Sequence, residues 1–390
     1  MNNTLSIFVH GRDNNFNLIR FVAAYLVLVS HCFPLYDGSG KDEPLKILVG
    51  MSFGAMAVDL FFITSGFLIA NSLFHRKSLS NFIKARVLRI YPGLAVSLIF
   101  CVFVLGVFFT TMPIQRYLTE LQTYNFLFFN ATLFFGEEAV LPGVFDSLPL
   151  KQTVNGSLWT LPFEVRAYAL LVIVGVTGSY LGKKCNIFTR KESYLIIPFI
   201  GMSIYLFDYF YTILPISYFG SEYARLITLF FIGVAFYHYR EKIVLSSKLF
   251  GILLFLLMIS AIDISSFFVV YNLTLAYLIF YLAYVPKGKV RSFNKYGDYS
   301  YGIYIYAFPI QQSIIAITPD ISFYNYLLLS TLFTFIFAYF SWHVVEKQAL
   351  KLRSIKLPLI TYLKYKLIDR VWHKTALQKL RFYINKSSEK

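Results

Sequence analysis

Two ionisable residues lie inside the first long apolar stretch of the chain, Phe16 to Leu35. They are Arg20 and His31. At 3.6 residues per turn, their spacing brings both side chains to nearly the same face of a helix, roughly 16 Å apart along its axis. Ionisable groups inside a membrane span are costly and usually face a protein-lined or watery interior. The pair therefore predicts a polar track through the membrane.

His31 is the residue best suited to proton transfer. An imidazole titrates at about pH 6.5, which makes it the natural general base at neutral pH. The alternative is a histidine satisfied by a neighbouring helix or by interfacial water. For Arg20, near the predicted inner end of the same helix, the alternative is a guanidinium that extends to the lipid headgroups.

Two carboxylates are predicted at a depth similar to that of His31. Asp59 lies in the outer half of the second apolar stretch and needs a partner, for which His31 and Arg166 are candidates. Glu164 lies about two turns into a later stretch, where it would accept the second imidazole N–H and hold the tautomer of His31. The alternative for Glu164 is a pair with Arg166 or another polar group.

Small residues surround Asp59 in the same stretch, and they would let neighbouring backbones approach closely. They are Gly54, Ala55, Ala57, Ser65 and Gly66.

Arg86 and Arg89 are three residues apart, on one helical face, just before the third apolar stretch. Two guanidinium forks in this arrangement suit a phosphate group. The alternative is a pair of basic anchors at the inner edge of the membrane.

Composition places these residues in an integral membrane protein of the all-α class. The chain is 57% hydrophobic and 14% charged, whereas a soluble domain has about 25% charged residues. Apolar runs of about 18 to 25 residues predict a polytopic protein with about ten transmembrane helices. The predicted spans are 16–36, 51–74, 90–112, 158–181, 193–214, 222–239, 247–263, 266–285, 299–318 and 323–346.

Lysine and arginine are concentrated on alternate loops, which predicts that both termini are cytoplasmic. We expect a membrane domain over residues 1–350 and a basic cytoplasmic tail over 351–390, either solvated or lying on anionic membrane lipid. The net charge of +16 follows this topology, so it does not indicate nucleic acid. The largest outer loop, 113–157, contains an aromatic run at 124–135 that predicts a re-entrant or interfacial segment.

Residues 14 to about 350 resemble the acyltransferase-3 family of membrane O-acyltransferases. The motifs that carry the resemblance occur in family order and are Arg20 with His31, Phe61-Phe62-Ile-Thr-Ser65-Gly66, Arg86-Val-Leu-Arg89, Leu158-Trp159 with Glu164, the stretch SYGIYIYAFPI at 300–310, and Glu346. Many relatives carry a histidine in the late stretch, where this chain has Phe308. The chain therefore departs from the family pattern at that position.

The resemblance implies transfer of an acyl group, usually acetyl from acetyl-CoA, to a hydroxyl of a glycan outside the bacterial cytoplasmic (inner) membrane. Family members modify lipopolysaccharide O-antigen, exopolysaccharide and peptidoglycan. The implied partners are acyl-CoA, a surface polysaccharide or lipid-linked glycan, and membrane lipid. No spacing typical of a metal site or a nucleotide loop is present, so neither metal nor ATP is expected.

We expect His31 to take the proton from the acceptor hydroxyl, with Glu164 or Asp59 orienting the imidazole. Ser65 or a nearby backbone N–H would hold the developing oxyanion, and an acyl-enzyme on His31 or Ser65 is an alternative. Arg20, Arg86 and Arg89 would hold the acyl-CoA on the inner side.

Two other functional classes suit the same composition. A multi-span transporter or flippase of a glycan or glycolipid also has intramembrane charges, although no inverted repeat is evident. A scaffold of a polysaccharide assembly complex would not need His31 with Glu164.

Overall fold

Helices make up the regular structure of this chain. The computed structural model describes residues 4–9, 11, 13–75, 79–185, 193–211 and 218–354. Within these ranges no strand is present, and the all-α class is confirmed. The predicted tail lies outside the described residues from position 355 onward.

Each of the ten predicted apolar stretches contains one long helix. We number them α1 Phe16–Asp37, α2 Phe53–His75, α3 Leu79–Phe109, α4 Thr160–Cys185, α5 Ser193–Tyr211, α6 Tyr218–His238, α7 Ser247–Ser260, α8 Ile264–Tyr284, α9 Ser300–Ile317 and α10 Phe323–Phe340. In the described part of the chain, six are long and apolar enough to cross a membrane, namely α1, α2, α3, α4, α8 and α10. The structure is that of a polytopic membrane protein, and the count of ten spans and the cytoplasmic termini stay predictions.

α1 lies between α2 and α9, and α2 also packs along α6. The contact between α2 and α6 depends on two glycines. A Cβ atom added to Gly66 would lie 1.9 Å from the carbonyl oxygen of Phe230, and one added to Gly233 would lie 2.0 Å from that of Ile63. The predicted close backbone approach is therefore confirmed at Gly66, because only a hydrogen side chain leaves room there.

The segment that leads into α4 enters the helix bundle at Asn155, and its backbone there is not helical. The Asn155 side chain donates to the carbonyl of Ile305 in α9 at 2.9 Å and accepts from the backbone N–H of Ser157 at 3.2 Å. A short 3₁₀ turn, Gly156–Trp159, follows before α4 begins. Gly156 faces Phe308, whose ring would lie 2.7 Å from an added Cβ atom. Because Asn155 and Gly156 reach the level of α9 residues 305–308, α4 begins inside the bundle.

The aromatic run in the loop before Asn155 forms a helix, Leu121–Thr132. Its twelve residues are fewer than the roughly 20 that cross a bilayer. Arg166 in α4 donates to the carbonyl of Phe134 at 2.9 Å and so ties this loop to the bundle.

Candidate active site

Two cavities lie along the side of α1 that carries Arg20 and His31. The first, which we call the His31 cavity, has a volume of about 270 Å³. The second, the Arg20 cavity, has a volume of about 50 Å³ and is also lined by Ser65 and Glu164. The prediction that Arg20 and His31 share one side of their helix is confirmed, because both cavities have Val58 and Tyr304 in their walls.

Val58 and Tyr304 separate the two cavities. The hydroxyl of Tyr304 is hydrogen-bonded to that of Thr160, the first residue of α4, and both side chains are buried. The Phe61 ring packs edge-on against Tyr304, with ring centroids 6.1 Å apart. The predicted polar track is therefore two cavities with a shared wall, because the start of α4 meets the second turn of α9 between them.

His31 lies in the wall of the larger cavity. The edge of its ring contacts Phe308, with centroids 5.2 Å apart and planes at 78°. Its Nδ1 atom is buried and has no hydrogen-bond partner among the residues that the structure describes. Phe308 thus packs directly on the candidate base.

Glu164 does not orient His31, which corrects the sequence prediction. Its carboxylate accepts from Ser65 Oγ at 3.1 Å and from the hydroxyl of Tyr168. Tyr168 also lies 3.1 Å from Ser65 Oγ and within hydrogen-bond reach of Arg86. The correction has a simple cause: because α4 begins inside the bundle, Glu164 lies deeper than a count from the membrane surface places it.

Asp59 does not orient His31 either, and its partner is neither of the predicted candidates. It accepts from Arg225 at 2.6 Å and from the hydroxyl of Tyr271 at 3.1 Å. Arg225 also bonds Glu222 at 2.5 Å. The Arg225 side chain is 6% exposed and that of Asp59 is 1% exposed, so the ion pair offsets the cost of burying both charges.

Arg89 is occupied by two carboxylates. It bonds Asp298 at 2.6 Å and Glu346 at 3.3 Å, and Asp298 also accepts from Ser300 Oγ at 2.5 Å. Burial alone would raise the pKa of Asp298, but the guanidinium groups of Arg89 and Arg20 outweigh it, and the pKa lies below its ordinary value. A phosphate would have to compete with both carboxylates for Arg89, which argues against the predicted two-arginine clamp.

Sequence reasoning missed three residues of this region: Tyr168, Arg225 and Tyr304. A signal was present for two of them. Tyr168 follows Glu164 by one helical turn and so lies on the same face, and Arg225 is a charge inside a predicted span. Tyr304 is one of several tyrosines in α9, and no spacing distinguishes it from Tyr301 or Tyr306.

Comparison with known proteins gives concordant results. A family model described as an acyltransferase domain matches residues 13–345. The chain is 30% identical over 358 residues to a protein of Shigella phage Sf6 named O-acetyl transferase, covering 89% of this chain and 99% of the relative. It is 25% identical over 372 residues to nodulation protein 10 of Rhizobium leguminosarum bv. viciae, covering 88% and 95%. No solved structure matches the chain.

Proposed function

The chain belongs to the acyltransferase-3 family, and from this premise we propose that it transfers an acetyl group from acetyl-CoA to a hydroxyl of a glycan outside the bacterial cytoplasmic membrane. The relative named O-acetyl transferase supports this reaction class. The acceptor would be a surface polysaccharide, such as O-antigen or exopolysaccharide, or its lipid-linked precursor. Membrane lipid is the surrounding partner.

The observation that carries the proposal is the arrangement of two cavities that share a wall. One holds His31, and the other holds Arg20, Ser65 and Glu164. An acyl transfer between substrates from opposite sides of a membrane needs two binding sites that meet at the reacting atoms. We assign the acceptor to the His31 cavity and the thioester end of the donor to the Arg20 cavity.

The size of the Arg20 cavity favours acetyl over longer acyl groups. A cavity of about 150 Å³ binds benzene, which is about 25 Å³ per carbon atom. By the same measure, 50 Å³ corresponds to about two heavy atoms, which is closest to acetyl, the smallest common acyl group, with its two carbons and one oxygen. Val58, Phe61, Phe62 and Leu161 form apolar walls around this space.

Arg20 and Arg86 are the arginines that we assign to the donor. Each has a buried Nε atom without a hydrogen-bond partner among the described residues, whereas Arg89 is bonded to Asp298 and Glu346. A buried guanidinium with an unused N–H group is suited to binding an anionic or carbonyl oxygen. In this assignment Arg89 keeps α3 in place and does not contact the donor.

His31 acts as the general base in this reaction. It takes the proton of the acceptor hydroxyl while that oxygen attacks the thioester carbonyl carbon. The tetrahedral intermediate then breaks its C–S bond, the new ester leaves with the acceptor, and the CoA thiolate takes the proton back from the imidazolium. Ser65 and Arg20 line the same cavity, and we assign to them the stabilisation of the negative charge on the carbonyl oxygen. For this the Ser65 hydroxyl must turn from Glu164, to which it donates in this structure. Tyr304 must turn aside for the two substrates to meet.

The test is acetylation of surface glycan in cells that express His31→Ala. General-base catalysis contributes about 10²- to 10⁴-fold, so acetyl esters on the purified polysaccharide should fall to background while immunoblots show normal protein levels. His343→Ala is the matched control, because His343 packs on Tyr299 and Tyr339 and not in either cavity. Wild-type acetate in the His31 variant would contradict the assignment, and glycan uptake or flipping without acetate would favour a transporter.

A further inference from the structure

A third cavity lies at the predicted cytoplasmic ends of α1, α9 and α10. Its volume is about 300 Å³, and we call it the aromatic groove. All but one of the side chains in its wall are aromatic, and they are Phe21, Phe293, Tyr296, Tyr299, Phe335, Ala338 and Tyr339. The groove shares no wall residue with the His31 cavity or the Arg20 cavity. It is therefore separate from the candidate active site.

The groove is open to the surroundings of the protein along α10. Exposed apolar side chains spaced four residues apart form a stripe on this helix, and they are Leu328, Leu332, Ile336 and Phe340. An exposed apolar surface of this kind on a membrane protein faces lipid chains. Tyr339, beside this stripe, is 52% exposed and lies in the groove wall. Lipid chains around α10 therefore have direct access to the groove.

A short 3₁₀ segment, Gly288–Lys295, forms one side of the groove. Residues three apart in a 3₁₀ helix share a face, so such a segment has three faces. One face is bonded to the N-terminal segment through Arg291 and Asn294. A second face carries Phe293 and continues into Tyr296, and both rings lie in the groove wall. The segment is thus fixed in place with its aromatic face toward the groove.

The third face of the segment carries Lys289 and Lys295. Both lysines are exposed, and neither forms an ion pair with a residue that the structure describes. Lys295 directly precedes Tyr296, so the basic face borders the aromatic one. Lysines beside an exposed apolar face are typical of elements that lie in the headgroup region of a membrane. Their uncompensated charge attracts anionic lipid on the predicted cytoplasmic side.

The size of the groove suits an acyl chain. At about 25 Å³ per carbon atom, 300 Å³ corresponds to about twelve carbons, a large part of one lipid chain. The Phe21 ring lies 5.1 Å from that of Phe293 and 5.6 Å from that of Phe335, between centroids. These rings offer the apolar contact that a chain needs.

We propose that the aromatic groove binds one anionic phospholipid, with an acyl chain between the rings of Phe293 and Phe335 and the phosphate beside Lys289 and Lys295. The site is independent of the proposed acyl transfer, because none of its residues lines either cavity of the candidate active site.

Photolabelling tests this site. The full-length protein is reconstituted in phosphatidylcholine vesicles with a trace of probe lipid, either phosphatidylglycerol or phosphatidylcholine, that carries a diazirine in one acyl chain. Mass spectrometry then maps the labelled residues. A lysine near anionic lipid changes binding by about fivefold, so the anionic probe should label Phe293 and Phe335 at least about fivefold more than the zwitterionic probe. Leu328 and Leu332, outside the groove, are the internal reference and should be labelled equally by both probes.

Two double variants test the role of the lysines. Lys289→Gln with Lys295→Gln removes both charges and leaves the groove wall intact, so the preference for the anionic probe should disappear. Lys242→Gln with Lys248→Gln is the matched control, because it removes two exposed lysines near the connection between α6 and α7. The control should keep the preference of the wild type.

Equal labelling of the groove by the two probes would overturn the proposal, since the lipid there would be an ordinary neighbour. A preference that survives Lys289→Gln with Lys295→Gln, or a groove that neither probe labels, would overturn it as well. Displacement of the anionic probe by acetyl-CoA would assign the groove to the nucleotide of the donor and would also contradict a lipid site.

Discussion

At the scale of single residues, the arrangement around His31 differs from the usual base and orienting carboxylate. The apolar edge of Phe308 holds one side of the ring, and the nearest predicted carboxylates are bonded elsewhere. A buried nitrogen without a partner costs about 1 to 3 kcal/mol. That cost is recovered if a ligand supplies the partner, so the position of His31 is that of a residue prepared for binding.

The acyl selectivity of the Arg20 cavity is a prediction about one side chain, Leu161. Leu161→Ala removes three carbon atoms from the cavity wall and makes room for a longer acyl group. Because one methylene in an apolar pocket changes specificity by at least about tenfold, we expect the ratio of kcat/KM for propionyl-CoA over acetyl-CoA to rise about tenfold. Thiol release on transfer to a glycan acceptor measures both rates.

Leu170→Ala is a suitable control, because Leu170 lies in the same helix but does not line the cavity. If the ratio of kcat/KM for propionyl-CoA over acetyl-CoA is the same in the wild type, Leu161→Ala and Leu170→Ala, this cavity does not hold the acyl group.

At the scale of the elements, α4 and α9 meet between the two cavities through Thr160 and Tyr304. Such a contact keeps water in the His31 cavity away from a thioester in the Arg20 cavity. Tyr304→Ala should join the cavities and raise the hydrolysis of acetyl-CoA without acceptor by at least about tenfold. Tyr304→Phe keeps the ring in place and should leave hydrolysis low. Release of CoA thiol compares the two variants, and equal rates would contradict the separating role of Tyr304.

The contact between α2 and α6 leads to a prediction about stability. Gly66→Ala would place a methyl group 1.9 Å from the carbonyl of Phe230, and overpacking of this kind costs about 1 to 3 kcal/mol. Gly251→Ala is the matched control, since nothing lies within 4 Å of its added Cβ atom and alanine favours a helix. Thermal unfolding in detergent should show a lower Tm for the first variant alone. A Tm unchanged by Gly66→Ala would mean that the helices tolerate separation.

The helices were predictable from the sequence, whereas the depth of individual residues was not. Apolar runs identify every long helix, because a bilayer and a buried bundle both demand continuous apolar stretches. The level of Glu164 depends instead on Asn155, whose side chain bonds Ile305, 150 residues away in the chain. A long-range hydrogen bond leaves no periodic signal in the sequence, so the depth of Glu164 could not be predicted. The predicted pairing of Glu164 with His31 is therefore wrong, although each residue lines a cavity.

At the scale of the whole molecule, the interior charges are close to balanced. Near α3 three arginines, Arg20, Arg86 and Arg89, act electrostatically on three carboxylates, Glu164, Asp298 and Glu346. The sequence predicted the positive members of this group and assigned Arg86 and Arg89 to a phosphate and Arg20 to the acyl-CoA. It did not reveal the carboxylates opposite them, because Asp298 and Glu346 reach Arg89 from positions 209 and 257 residues later in the chain. Matching of this kind lowers the cost of burying charge in the membrane.

The network around Arg89 predicts how stability depends on pH. The pKa of Asp298 in the folded protein is below its ordinary value of 3.8, so its ion pair stabilises the fold above that value and is lost as the pH falls through the lower, folded-state pKa. Asp298→Asn should therefore lower stability by about 2 kcal/mol at pH 7 and by less near pH 3, which lies below the ordinary pKa of 3.8. Thermal unfolding in detergent at both values measures this, with exposed Asp320→Asn as the control. An equal loss at both pH values would show that packing, and not charge, is what Asp298 contributes.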